Sequence, residues 1–176
     1  FLQGLGAVKW IARGGLLAIL VVHVYAGLSL AAANRAARPV GYAMYKPRTS
    51  TPMGRYMAWT GVIIFAFIVY HLLHFTLGQI QPAYFHVPDP HGRPDAYTMF
   101  VRGFQSVPIF ISYAIAIFML SAHLAHGASS WLQSLGLRHP KYSLDKVGPL
   151  LTAVLFIGYM APPVAVLLNV IRLPGA

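Results

Sequence analysis

The chain has 176 residues, of which 57% are hydrophobic and 9% charged, against roughly 25% charged in ordinary globular domains. So few polar groups cannot cover a soluble surface, which excludes a soluble enzyme as well as a disordered chain. The net charge of +10, in so apolar a chain, points to basic loops at anionic lipid rather than to nucleic acid.

The cysteine count is zero, which excludes disulfides, iron–sulfur ligation and a thiol nucleophile. The acids are Asp89, Asp95 and Asp145, with no Glu, so carboxylate-pair catalysis is not expected.

A hydrocarbon core about 30 Å thick needs about 20 helical residues. Four apolar stretches meet that length, over residues 14–33, 57–80, 108–135 and 147–171. Pro108 suits the first turn of the third span, and Gly136 its C-terminal stop. Pro162 and Pro163 are expected to kink the fourth. The expected fold is all-α: one integral membrane helix bundle over residues 1–176, with four transmembrane helices.

The loops set the orientation. Residues 34–56 carry Arg35, Arg38, Lys46, Arg48 and Arg55 with no acid, and the loop after the third span carries Arg138, Lys141 and Lys146. The loop over residues 81–107 carries Arg93 and Arg102 against Asp89 and Asp95. The positive-inside rule places the first and third loops in the cytoplasm. The middle loop, rich in Pro, Gly and aromatics, is then an external cap with short helical or turn pieces. Both termini fall outside, so an additional apolar helix before Phe1 is expected, which would bring the N-terminus inside.

Of eight histidines, His86, His91 and His139 fall in loops and read as solvated surface. His23, His71, His74, His123 and His126 fall inside apolar spans, where an ionisable residue marks a functional site by default. Counted from each helix's cytoplasmic end, His23 lies about 16 Å deep and His126 about 15 Å, so the two are level. His71 lies about 22 Å deep and His74 about 27 Å. His123, at about 20 Å, is a marginal level partner for His71. Two neutral imidazoles on opposite sides of a planar ring suit a six-coordinate haem iron. Zinc and di-iron sites fit poorly without Cys or nearby carboxylates. His71/His74 and His123/His126 are i, i+3 pairs, about 60° apart on a helix. Two such residues rarely ligate one haem, so one of each pair is a supporting donor, a propionate partner or a quinone-site group. Gly27, Gly127 and Ala128 leave room for a macrocycle.

Three stretches carry a family resemblance: HVYAGLSLAAANRAARPVGY at 23–42, VYHLLHF at 69–75 and HLAHGASSWLQSLG at 123–136. In this order and spacing the chain resembles the single-subunit, di-haem, five-helix cytochrome b (b558-type) anchor of succinate dehydrogenase and fumarate reductase. The resemblance implies two haems b. His23 and His126 would ligate the one nearer the cytoplasm. His71, or less favourably His74, would ligate the outer one, whose first-helix ligand has no counterpart here. It implies electron transfer from succinate through a flavoprotein and an iron–sulfur subunit to a membrane quinone, menaquinone by family analogy, in a bacterial inner membrane. No dicarboxylate site is expected in this chain. Arg35, Arg38 and Arg138 are candidates for haem propionates or for docking the iron–sulfur subunit. Some family members carry a Glu two residues before the fourth-helix ligand, thought to move protons; Leu124 stands there, which favours simple electron transfer. Two other readings share part of this pattern: a di-haem anchor of a hydrogenase or another respiratory dehydrogenase such as formate dehydrogenase, and a transporter or channel using a histidine proton relay.

Overall fold

The computed structural model describes residues 5–41, 43–44, 46, 50–85, 87–137 and 147–174. Among the described residues seven α-helices follow in order: α1 (Gly6–Ala36), α2 (Pro52–Arg55), α3 (Met57–His71), α4 (Pro82–Phe85), α5 (Ala96–Phe104), α6 (Val107–Ser134) and α7 (Val147–Leu167). A wider, π-helical turn over Leu72–Thr76 extends α3. Among the described residues the only extended pairing is an isolated bridge between Pro88 and Pro94. Four helical segments are long and apolar enough to cross a membrane: Gly6–Ala36, Met57–Thr76, Val107–Ser134 and Val147–Leu167. The protein is an all-α membrane helix bundle.

The chain divides into two compact units at Thr51/Pro52. The first is essentially α1. It begins before residue 14, because Lys9 and Arg13 lower the hydropathy of its first turns without stopping the helix. Both cations lie over the Trp10 ring, at 5.8 and 5.1 Å from its centroid, the basic and aromatic composition of a membrane–water boundary. No residue of α1 is buried within its unit.

In the second unit α3 and α7 each pack on α6, with α5 across one end. Its core lies at that end, where Val101, Phe104, Ile109, Tyr113 and Val166 meet Phe67, Tyr70 and Phe75. Helix α5 is amphipathic: Val101, Gly103 and Phe104 are buried while Tyr97 and Arg102 face outward. Asp95 caps its N-terminus, accepting from the Thr98 backbone N–H at 3.0 Å and the Thr98 hydroxyl at 2.6 Å. The Thr98 bonds hold the Asp95 carboxyl below the usual carboxylate range. Asp89 is likewise depressed, chiefly by the Arg93 guanidinium, with which it is paired. The Tyr97 hydroxyl donates to the Arg172 carbonyl at 2.8 Å, tying the cap to the segment after α7. The loop 81–107 thus forms an ordered cap with two short helices.

Helix α6 starts with Pro in its first turn and ends before Gly136, whose φ of +72° requires glycine. Helix α7 runs unbroken through Pro162 and Pro163. Each proline removes one backbone bond. Its end is set by Asn169 in the left-handed region, φ 58°.

Candidate functional site

Two polar tethers join α3 to α6. The one under the cap begins at the π-helical turn, where the Leu77 N–H reaches back to the Leu72 carbonyl at 2.8 Å and the Gln79 N–H to Leu73 at 2.8 Å. Such turns insert one residue into a helix and re-aim side chains, often at functional sites. Here His74 enters the core and is 2% exposed, while His71 stays on an open face. Both rings point Nδ1 at the Tyr113 hydroxyl, at 3.0 Å from His74 and 3.3 Å from His71. The other His74 nitrogen, Nε2, meets Gln81 Oε1 at 3.1 Å. His71 Nε2 has no hydrogen-bond partner among the described residues.

The surroundings fix these rings. Phe67, Phe75 and Phe104 stand edge-on to Tyr113 with centroids at 5.0, 5.9 and 4.9 Å. Phe75 lies 4.0 Å from the His74 ring at 32°. Gly103 of α5 faces that ring: a Cβ there would sit 3.3 Å from His74 Cε1. Any larger residue at 103 would press on the imidazole.

The second tether lies toward the start of α3. The Thr60 hydroxyl donates to the Met57 carbonyl at 2.9 Å and lies 2.9 Å from His123 Nδ1. Its one proton is committed to Met57, so Thr60 accepts and His123 Nδ1 donates. Gly61 lies beside the ring, where a Cβ would make ordinary contact at 3.8 Å from His123 Cε1.

These contacts fix the register of the antiparallel pair. Thr60 and His71 are about 16 Å apart along α3, and His123 and Tyr113 about 15 Å apart along α6. His123 is therefore level with Thr60 and not with His71, which corrects the depth count made from the helix ends. That count treats the ends as flush, but the segment Val107–Ser134 has 28 residues and Met57–Thr76 has 20. The longer helix overhangs, and His126 falls about one turn beyond His123, level with the start of α3.

His23 lies on the exposed surface of α1 in the first unit, and His126 is half-buried on α6 in the second. Arg35, in the last turn of α1, and Arg38, just beyond it, are exposed. Arg138, His86 and His139 lie outside the described residues. His91 is exposed, its backbone N–H donating to Asp89 at 2.8 Å.

Sequence reasoning missed Tyr113, Gln81, Thr60 and Gly103. Each is an ordinary residue in its local context, and the chemistry appears only when α3, α5 and α6 meet.

The donor chemistry suits a haem better than a caged ion. Among the described residues no three His, Asp or Glu side chains gather around one point. A haem iron asks for a single imidazole nitrogen from each side, with the far nitrogen held by a partner. His71 has that form; His74, with both nitrogens engaged, does not. No protein-family model, curated protein or solved structure matches the chain.

Proposed function

We propose that this chain is the haem b-bearing membrane anchor of a bacterial succinate:quinone oxidoreductase, set in the cytoplasmic membrane. The observation that carries the reading is His71: an intramembrane imidazole with Nδ1 on a buried hydroxyl and Nε2 open. The resemblance of residues 23–42, 69–75 and 123–136 to the di-haem anchors supplies the partners.

In this reading, which follows the family resemblance, His23 and His126 would hold the inner haem and His71 would hold the outer one. When bound, a haem supplies a reversible one-electron couple within the membrane. The chain's own residues do the rest. Aromatic side chains around Tyr113 exclude water from the outer level. Arg35 and Arg38, exposed at the end of α1, would meet propionates or an iron–sulfur subunit on the cytoplasmic side. That subunit and a flavoprotein deliver electrons from succinate, and a membrane quinone, menaquinone by analogy, receives them.

Purification of the native complex from membranes tests the assignment. A flavoprotein and an iron–sulfur subunit should co-purify, and succinate alone should reduce the b-type haem. Reduction by hydrogen or formate instead, with the matching subunits, would assign the chain to another respiratory complex. A preparation with no Soret band would leave the proton-relay reading.

A further inference from the structure

Four side chains form one continuous hydrogen-bonded line: His71, Tyr113, His74 and Gln81. Donor counting fixes its direction. With the Gln81 amide assigned its oxygen toward the ring, that oxygen accepts and His74 Nε2 carries a proton. A neutral imidazole has one ring proton, so His74 Nδ1 is bare and accepts. Its donor is the Tyr113 hydroxyl, which has a single proton to give. The Tyr113 oxygen then accepts from His71, whose proton therefore sits on Nδ1. His71 Nε2 is left with its lone pair, on the open face of α3.

We infer that Gln81, His74 and Tyr113 are positioning residues that lock His71 in the Nδ1–H tautomer and so present Nε2 as an iron ligand. This rests on the reading that His71 binds a haem. The remote end of the line makes it a lock and not a proton wire. An amide oxygen accepts a hydrogen bond but takes up no proton near neutral pH, and His74 is 2% exposed, so a proton arriving at His74 has no outlet to water. Each ring is also wedged: Gly103 and Phe75 sit against His74, and three phenylalanine rings surround Tyr113. The Nδ1–H···Oη bond also strengthens Nε2 as a donor to iron, which favours the oxidised metal and lowers the potential of that haem.

Two measurements on the assembled complex in lipid nanodiscs test the lock. In the first, ¹⁵N-histidine NMR of the wild type reads the tautomer of His74, assigned by its loss in His74→Asn. The expected result is a protonated Nε2 and a bare Nδ1. A proton on Nδ1 would mean the line runs the other way, and the proposal is overturned. In the second, optical redox titration compares wild type with Tyr113→Phe, a near-isosteric change that removes only the hydroxyl. The midpoint of the haem that is lost in His71→Ala should rise while the other haem is unmoved. Its retention against an apo-globin acceptor should fall about tenfold or more. Gln81→Leu should act in the same direction but more weakly, since it lies two links further away. Unchanged midpoints in Tyr113→Phe, at full haem content, would overturn the lock. A wild-type complex without a Soret band would instead sink the haem reading and the tuning with it, while the His74 tautomer still decides the direction of the line.

Discussion

The tether under the cap and the tether near the start of α3, outer and inner in the proposed orientation, begin from the same sequence pattern and end differently. Each involves two histidines in i, i+3 relation. At the outer level the π-helical turn draws the second histidine into the core, where both its nitrogens are engaged, and leaves the first with an open nitrogen. At the inner level α6 stays regular, so the two rings remain about 60° apart. Thr60 catches His123, and His126 lies a turn further on. Spacing alone therefore does not assign roles within such a pair; the local helix geometry does.

The largest expected effect separates ligands from supports. His71→Ala and His126→Ala should each remove one haem equivalent from the purified complex, as should His23→Ala, whereas His74→Asn should retain both haems. A pyridine haemochrome assay reads the difference. Loss of a haem in His74→Asn with retention in His71→Ala would reverse the roles at the outer level.

Next in size is the energetic asymmetry. Tyr113→Phe strands the buried His74 Nδ1 without a donor and should destabilise the second unit by about 1–3 kcal/mol. Thr60→Val removes only a partly buried bond at the inner level, and should cost about 0.6 kcal/mol, the usual worth of a side-chain bond between membrane helices. Denaturation in mixed micelles should rank the two in that order. Equal costs would mean the outer line is no more tightly built than the inner one.

The smallest effect concerns the cap over the outer level. Asp89 and Asp95 have depressed pKa values in the folded protein. Their contribution is fully present above the ordinary carboxylate value, about 4, and is lost as pH falls through the lowered ones. Hydrogen exchange in α5 should therefore quicken below about pH 4, and Asp95→Asn should blunt that change. Exchange at the inner end of α6 should not follow.

The four spans were legible because hydropathy over some 20 residues is a strong signal. The start of α1 was less so, since Lys9 and Arg13 interrupt the hydropathy of a helix they do not interrupt. The histidines stood out as ionisable groups in apolar runs. Their arrangement did not. LLHFT at 72–76 reads as plain helix, and nothing local marks it for a π-helical turn. The register of α3 on α6 was misjudged because depth was counted from helix ends of unequal length. Tyr113 was passed over because a tyrosine in a span commonly sits at the membrane boundary; only the fold shows it 5% exposed between two imidazoles. The pairing of His23 with His126 rests on the family resemblance, since the two lie in separate units.

The central claim is that these histidines hold haem. A reduced-minus-oxidised difference spectrum of the purified complex, paired with haem and protein quantification, tests it most directly. The account predicts a b-type spectrum with haem in stoichiometric amount, two per anchor where the first-helix ligand is present, and partial loss in His71→Ala. A complex that carries this chain in full yet shows no Soret band would contradict it.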